Sequence, residues 1–476
     1  MIGVKRKVHF VGVGGIGMSG LAEILLNLGY PVSGSDLQAS DITQRLSSRG
    51  LRFFEGHDSA HLEDTSILVV SAAVPEENPE VASARRRGIP VLHRSDLLAH
   101  LMRMKTHAVA VGGTHGKTTT TSMISSVLDT ANIGATTIVG GILHRSGTNA
   151  RWGTGEYLVA EADEHDHSFL RLHPTVAVVT NIDSEHLENY EGIEDIKDAF
   201  SAFCDLVPFY GFSILCGDDA HCREIIERVE CVCLTYGLDI GVSLQGVNVT
   251  LCPHDKSRPK TDQFDKLCTQ FDVVSQDERF GQLGTLGNIR INAIGDHNVR
   301  NALAACAVGL CLGLRFPVIA EGLSHFDGVR RRLQVHGNRR GVTVVEDYAH
   351  HPTEIANTIA AVRWVEPKRI ICIFQPHLYT RTQFFHQEFA DVLESVDKTF
   401  VTDIYPSREQ PIPGVDTGLI LGSVRPERRD KVVHVPDMYA VPERVAGELE
   451  AGDLVLVLGA GNINRIVEPL LRALEG

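Results

Sequence analysis

Short apolar runs alternate along this chain with longer stretches of helical spacing, and glycines or polar clusters follow most of the runs. Residues 1–105 carry the rhythm plainly. Positions 8–13 read as a buried strand, 18–28 as a helix that Gly29 is placed to end, and 30–36 as a second strand. Strands at 67–70 and 89–92 and a helix from about 95 to 104 close this unit. Residues 106–326 repeat the theme, with strands at 108–111, 136–139, 156–160 and 175–181. Mixed strands and loops over 210–293 follow, with a polar excursion at 253–266, then a helix of small apolar residues over 302–314. Residues 327–476 add strands at 342–345, 370–374, 399–404 and 454–458, and Pro352 sits where a helix begins. Strand–helix alternation of this kind specifies doubly wound, mostly parallel α/β sheets. The glycine signatures of the three units differ, and no solenoid period is visible, so the chain reads as three domains and not an array.

Composition narrows the partners. A length of 476 residues suits about three domains. Acidic residues outnumber basic ones 60 to 45, a net charge of −15, which argues against general binding to nucleic acid or anionic membrane. Anionic ligands must then be held by local devices. No apolar run reaches membrane-spanning length, and the N-terminus enters its first strand without a signal-peptide core, so a cytoplasmic location is expected. The ten cysteines form no C-x-x-C pair and are expected to be reduced. Cys231 and Cys233, on alternate positions, suit small apolar fillers of one strand face.

Candidate chemistry sits at the strand ends. The run 108–111 is broken by Gly112 and Gly113, and Gly113-Thr114-His115-Gly116-Lys117-Thr118-Thr119 then opens a helix. This is the build of a phosphate-binding loop, shorter than the usual expression allows, because Val111 stands where a glycine is required. Backbone amides would surround phosphate oxygens, Lys117 would reach the outer phosphates, and the Thr118 hydroxyl would sit on magnesium. Near the N-terminus, Gly12-Val-Gly14-Gly15-Ile16-Gly17 satisfies G-x-G-x-x-G, and Asp36 follows some twenty positions on. That geometry suits a nicotinamide dinucleotide or the diphosphate of a nucleotide sugar. The strand 156–160 runs into Glu161-Ala-Asp-Glu164, and the strand 175–181 runs into Asn181-Ile-Asp-Ser-Glu-His186. Carboxylates at neighbouring strand ends are what a magnesium–nucleotide site needs opposite a phosphate loop. His297, Asn298 and Asn301 lie on one side of a helix start, where they could read a base or phosphate, although Asp296 as a cap explains part of that motif.

Seven stretches in this order resemble the Mur ligase family along essentially the whole chain: Gly12–Met18, Gly113–Thr118, Glu161–Glu164, Gly295–Asn298, Gly328–Arg332, Asp347–Glu354 and Gln375–His377. The short Gly-Thr-His-Gly-Lys-Thr loop is that family's own form. The resemblance implies a Rossmann-like N-terminal domain (1–105) for a UDP-sugar, a central P-loop ATPase-type domain (106–326) for ATP, and a C-terminal Rossmann-like domain (327–476) for an amino acid. It implies an ATP-dependent amide ligase of peptidoglycan precursor synthesis that joins L-alanine to the lactyl carboxylate of UDP-N-acetylmuramate through an acyl phosphate, as a monomer or homodimer. In the family pattern Gly14, Gly15, Ile16, Gly17, Asp36 and Ser71 face the UDP-sugar, which decides the G-x-G-x-x-G question against a nicotinamide dinucleotide. Gly113 to Thr119, His297 and Asn298 face ATP. Lys117, Glu161 and His186 carry the chemistry, and Thr118, Glu161 and His186 ligate Mg2+ or Mn2+. Tyr348, His350 and Arg381 hold the amino acid. One position departs from the pattern. Leu378 stands where the family has a second arginine against the amino-acid carboxylate, a loss worth about 1.5–3 kcal/mol. Two rival readings follow: a ligase that attaches a preformed peptide to UDP-N-acetylmuramate in murein recycling, and a nucleotide-switched binding module that makes no amide.

Overall fold

The apolar runs assemble into three sheets. The computed structural model describes residues 5–141, 147–185, 189–252, 268–407 and 409–475. In the first sheet β1 (Val8–Val11), β2 (Val32–Asp36), β3 (Arg52–Glu55), β4 (Ile67–Val70) and β5 (Val91–His93) are all parallel, in the order β3-β2-β1-β4-β5. The order reverses beside β1, whose four residues are buried, so the glycine turn after β1 lies at the point where such sheets bind ligands. β2 starts at Val32 and not at residue 30, since Gly29 takes a left-handed φ of 76° after the helix Ile16–Asn27 and Pro31 has no amide to give a ladder.

The second sheet holds β6 (His107–Gly112), β7 (Thr136–Ile138), β8 (Ala150–Arg151), β9 (Tyr157–Glu161), β10 (Val176–Val179), β11 (Phe212–Cys216), β12 (Cys233–Gly237), β13 (Leu244–Leu251), β14 (Thr269–Ser275) and β15 (Gly284–Ile291). Their order is β15-β14-β13-β12-β11-β10-β6-β9-β7-β8. β6 lies between β10 and β9 and is parallel to both, with Val111 opposite Glu161 and Gly112 opposite Val179. That register brings the two carboxylate-bearing strand ends to either side of the glycine loop.

The third sheet comprises β16 (Gln334–Arg339), β17 (Val342–Asp347), β18 (Arg369–Phe374), β19 (Lys398–Val401), β20 (Val432–His434) and β21 (Asp453–Leu458), in the order β16-β17-β21-β18-β19-β20. Only β16 runs antiparallel to its neighbour. Alternate residues feed two cores: Val345, Cys372, Phe374, Leu454 and Leu456 on one face, and Val344, Ile371, Ile373, Val455 and Val457 on the other. Burial of both faces explains why these strands read as continuous apolar runs.

The described residues fall into two compact units. One takes residues up to Val249 with Phe271–Arg290 and Arg300–Asp327; the other takes Thr250–Gln270, Ile291–Val299 and the chain from Gly328 onward. Among the described residues no helix is long and apolar enough to cross a membrane. One expectation needs correcting: Cys252 and Cys268 form a disulfide, while the other eight cysteines are free. The pair terminates neighbouring strands, joined by Cys252 N donating to Cys268 O at 2.9 Å, which brings their Cα atoms to 5.4 Å. The polar excursion at 253–266 lies outside the described residues. Cys231 differs from an apolar filler as well, since its thiol donates to Ser213 Oγ at 3.0 Å.

Candidate active site

The loop after β6 turns on two glycines. Gly113 has φ 120° and Gly116 φ 84°, and Gly116 is followed directly by the helix Lys117–Thr130. A Cβ on Gly113 would overlap Thr180 Oγ1 and stand 2.8 Å from Thr180 N, so only glycine fits. The segment after β10 laces the loop in place. Thr114 N donates to Asn181 O at 3.0 Å, His115 N to Asn181 Oδ1 at 2.9 Å, and Asn181 Nδ2 and Thr180 Oγ1 both donate to His115 O, at 2.9 and 2.6 Å. Thr180 and Asn181 were not among the expected site residues. Their signal was positional, as the first residues past a buried strand next to the loop strand. His115 also lies 3.2 Å from Asp183, and Asp183 N donates to Thr114 Oγ1 at 2.9 Å.

Lys117 is held inside this loop. Its Nζ donates to Gly113 O at 2.6 Å, Thr114 O at 3.0 Å and Glu164 Oε1 at 2.8 Å. Burial opposes its charge, yet Glu164, Asp163 and Glu161 outweigh that and keep the ammonium above its ordinary value. Thr118 Oγ1 donates to Glu161 Oε2 at 3.2 Å, and the other Glu161 oxygen accepts from Gly140 N at 2.5 Å. A hydroxyl and a carboxylate converging one residue past the lysine form a hard-oxygen pair of the kind that magnesium takes. Thr119 is buried in the first turn of that helix. His186 lies outside the described residues. Thr120 Oγ1, on the loop helix, donates to Asn301 Oδ1 at 3.1 Å. One turn earlier, Asn298 Nδ2 donates to Ile294 O at 2.8 Å and lies 3.0 Å from His297 Nε2.

At the N-terminal glycine turn, Gly12 takes φ 77° and Gly14 N donates to Asp36 Oδ2 at 2.7 Å. Asp36 therefore braces the turn from the end of β2. Gly15 precedes the helix Ile16–Asn27 as its cap, and Ile16 O accepts from Asn149 Nδ2 at 2.5 Å. Gly17 faces Arg94, whose guanidinium nitrogen would stand 2.9 Å from a Cβ at that position. Arg94 in turn donates to Asp163 Oδ2 at 3.0 Å. This arginine was missed, because it opens a helix some eighty residues downstream and no motif includes it. Ser71 directly follows β4 and is half-buried.

In the other unit the ends of β17, β21 and β18 align, with Leu458 opposite both Asp347 and Phe374. Tyr348 and Gln375 follow from that edge. The Arg331 and Arg332 guanidinium groups lie 4.8 and 5.3 Å from the Tyr348 ring centre. Tyr348 and His350 meet edge to face at 5.3 Å, and His350 and His377 do so at 5.7 Å. Arg381 is buried, with its Nη1 3.1 Å from His377 Nδ1. Leu378 holds φ 70°, a strained value for a branched side chain, immediately before the helix Tyr379–Leu393. Tyr348, His350 and Arg381 thus lie in one run of contacts, in which His377 links His350 to Arg381.

Asp347 carries a pH signature. Burial pushes its carboxyl up to about 6 from an ordinary 3.8, although Arg332 and the amides of Leu333 and Ala349, each 2.7 Å away, favour the charge. The protonated form is favoured on folding. That contribution, about 3 kcal/mol, is complete below about pH 4 and is lost as pH rises through about 6. Difference infrared spectroscopy should show a carboxyl titrating near pH 6 that Asp347→Asn removes. A carboxyl ionised throughout that range would contradict the assignment.

With this geometry in view, three family models match in series: the Mur ligase family catalytic domain over residues 7–106, the Mur ligase middle domain over 111–309, and the Mur ligase glutamate ligase domain over 331–461. The chain belongs to the Mur ligase family. It is 45% identical over 470 residues to a UDP-N-acetylmuramate–L-alanine ligase of Syntrophus aciditrophicus, covering 99% of this chain and 94% of that one. It is 46% identical over 477 residues to the ligase of the same name from Trichlorobacter lovleyi, covering all of both chains. Among solved structures, the UDP-N-acetylmuramate-alanine ligase MurC of Thermotoga maritima matches with a TM-score of 0.79 at 26% identity over 98% of each chain. A murein peptide ligase of Psychrobacter arcticus matches in fold, with a TM-score of 0.69 at 23% identity and 99% coverage of both chains.

Proposed function

We propose that this protein joins L-alanine to the lactyl carboxylate of UDP-N-acetylmuramate at the expense of ATP, releasing ADP and phosphate. The observation that carries the reading is the Lys117–Thr118 loop with Glu161 in register beside it, in a chain 45% identical end to end to ligases of that name. In this reading residues 1–105 take the UDP-sugar, 106–326 take ATP and 327–476 present the amino acid.

A free carboxylate is a poor acyl donor, because hydroxide is a very poor leaving group at neutral pH. Transfer of the terminal phosphoryl group to the lactyl carboxylate gives an acyl phosphate. The neutral amine of alanine attacks its carbonyl carbon, phosphate departs, and the amide forms. Both steps gather negative charge on oxygen, so fixed positive charge and aimed amides lower their barriers. Lys117 answers the outer phosphates, and the amides of the 113–118 loop surround them. Thr118 and Glu161, with His186, would hold Mg2+ or Mn2+, which when bound neutralises phosphate charge. Gly14 to Gly17, Asp36 and Ser71 serve the sugar diphosphate, His297 and Asn298 the nucleotide. Tyr348, His350 and Arg381 grip the amino acid, with Arg381 facing its carboxylate.

Incubation with ATP, UDP-N-acetylmuramate and single amino acids tests the reading. Alanine-dependent phosphate release with amide product is expected. Release only with a preformed peptide would transfer the activity to the recycling reaction, and no release with any acceptor would reduce the protein to a nucleotide-binding module. Arg381→Ala should raise the KM for alanine by about 10- to 100-fold, with a much smaller effect on the KM for ATP. Leu378→Arg, which supplies the family's second cation, should lower the KM for alanine by about tenfold. A rise in KM would show that the leucine serves a different acceptor.

A further inference from the structure

Glu164 lies three residues past Glu161, and nothing in the proposed chemistry uses it. Its side chain is only 3% exposed. One oxygen accepts from Lys117; the other is buried and meets no hydrogen-bond partner among the described residues. The Tyr190 hydroxyl, itself buried, donates to the Glu164 carbonyl and fixes the backbone there. An ammonium has three protons. Those of Lys117 are directed at two loop carbonyls and at Glu164. The carbonyls are neutral and built into the loop, so among the described residues Glu164 is the anion bonded to Lys117 that an incoming phosphate can exchange for.

We propose that Glu164 is a stand-in for the terminal phosphates of the nucleotide: it occupies Lys117 in the nucleotide-free protein and must surrender it when ATP binds. The proposal rests on the phosphate-loop reading of Gly113–Thr118 and deepens it. Glu164 is a positioning residue, holding Lys117 at the loop before any ligand arrives. Surrender leaves a buried carboxylate unpaired on both oxygens and close to new negative charge, which opposes nucleotide binding. The neighbouring pair extends the device, because Asp163 is bound to Arg94 at the sugar-diphosphate turn. Adjacent residues of one loop thus occupy a cation at each of the two phosphate-binding turns.

Calorimetric titration of the full chain with ATP and magnesium, and separately with AMP, without sugar or amino acid, tests this. Glu164→Gln keeps the shape and removes the charge. Its Kd for ATP should fall by about tenfold, while its Kd for AMP, which lacks the outer phosphates, stays at the wild-type value. The nucleotide-free Tm should fall and the ATP-induced rise in Tm should grow. Glu164→Ala carries the same expectation and serves if the glutamine variant does not fold. ATP affinity equal to or weaker than wild type in the folded variant overturns the stand-in. Lys117→Ala separates the two claims. If it loses ATP binding while Glu164→Gln does not tighten, only the stand-in fails; if it binds ATP normally, the phosphate-loop reading itself fails.

Discussion

Replacing Lys117 by alanine is expected to lower turnover by about a thousandfold or more at saturating substrates, measured as alanine-dependent phosphate release. The lysine is the only residue of the 113–118 loop that brings a fixed formal charge. Its ammonium is held inside the loop on three acceptors, and nearby carboxylates keep it charged. Truncation has a second cost, because Glu164 is left buried without its partner. Breaking such a pair from one side costs about 3 kcal/mol, so the variant should also unfold at lower denaturant. The double variant Lys117→Ala with Glu164→Gln separates these effects, since stability should recover while turnover stays lost. Wild-type turnover in the single variant would remove the loop from the reaction.

The second large effect is expected at Gly113. Alanine there must hold a φ of 120°, and its methyl group overlaps the Thr180 hydroxyl and crowds the Thr180 amide. Strain alone is worth about 1–3 kcal/mol, and besides the hydroxyl the methyl meets the Thr180 backbone nitrogen at 2.8 Å, which is itself bonded to Gly112 O. The loop must rotate out of its lacing to Asn181, so ATP affinity should fall by roughly two decades. Gly116→Ala is the informative comparison. Its methyl would meet the Asn301 side chain at 2.8 Å, and a side chain can turn aside. A loss at Gly116 equal to that at Gly113 would argue against backbone collision as the cause.

How much of this could be read before the structure differs by kind of signal. Strands buried on both faces, such as β1, β6 and β21, were legible because a short, unbroken apolar run must be hidden from water on every side. The phosphate loop was legible from glycine spacing followed by Lys-Thr, since both backbone freedom and charge are written in residue type. Ends of elements were less so. The helix Asp296–Cys311 stops short of position 314 because Gly313, at φ 76°, turns the chain while Leu314 N reaches back to Gly309 O. Partners brought together by topology were not legible at all. Arg94 lies against Gly17 and donates to Asp163, and Thr180 donates to His115 O, through tertiary packing that no local pattern encodes. The Cys252–Cys268 bridge was missed for the same reason, since the cysteines become neighbours only when β13 and β14 do.

The pairing of Val111 with Glu161 limits what the gene can tolerate. Loss or gain of one codon within β9 would turn the Glu161 carboxylate to the opposite face of the sheet and move it about 3.3 Å along the strand. Point changes among the apolar residues of β9 should be survivable by comparison. Random libraries over this strand should therefore keep many substitutions and almost no single-codon indels.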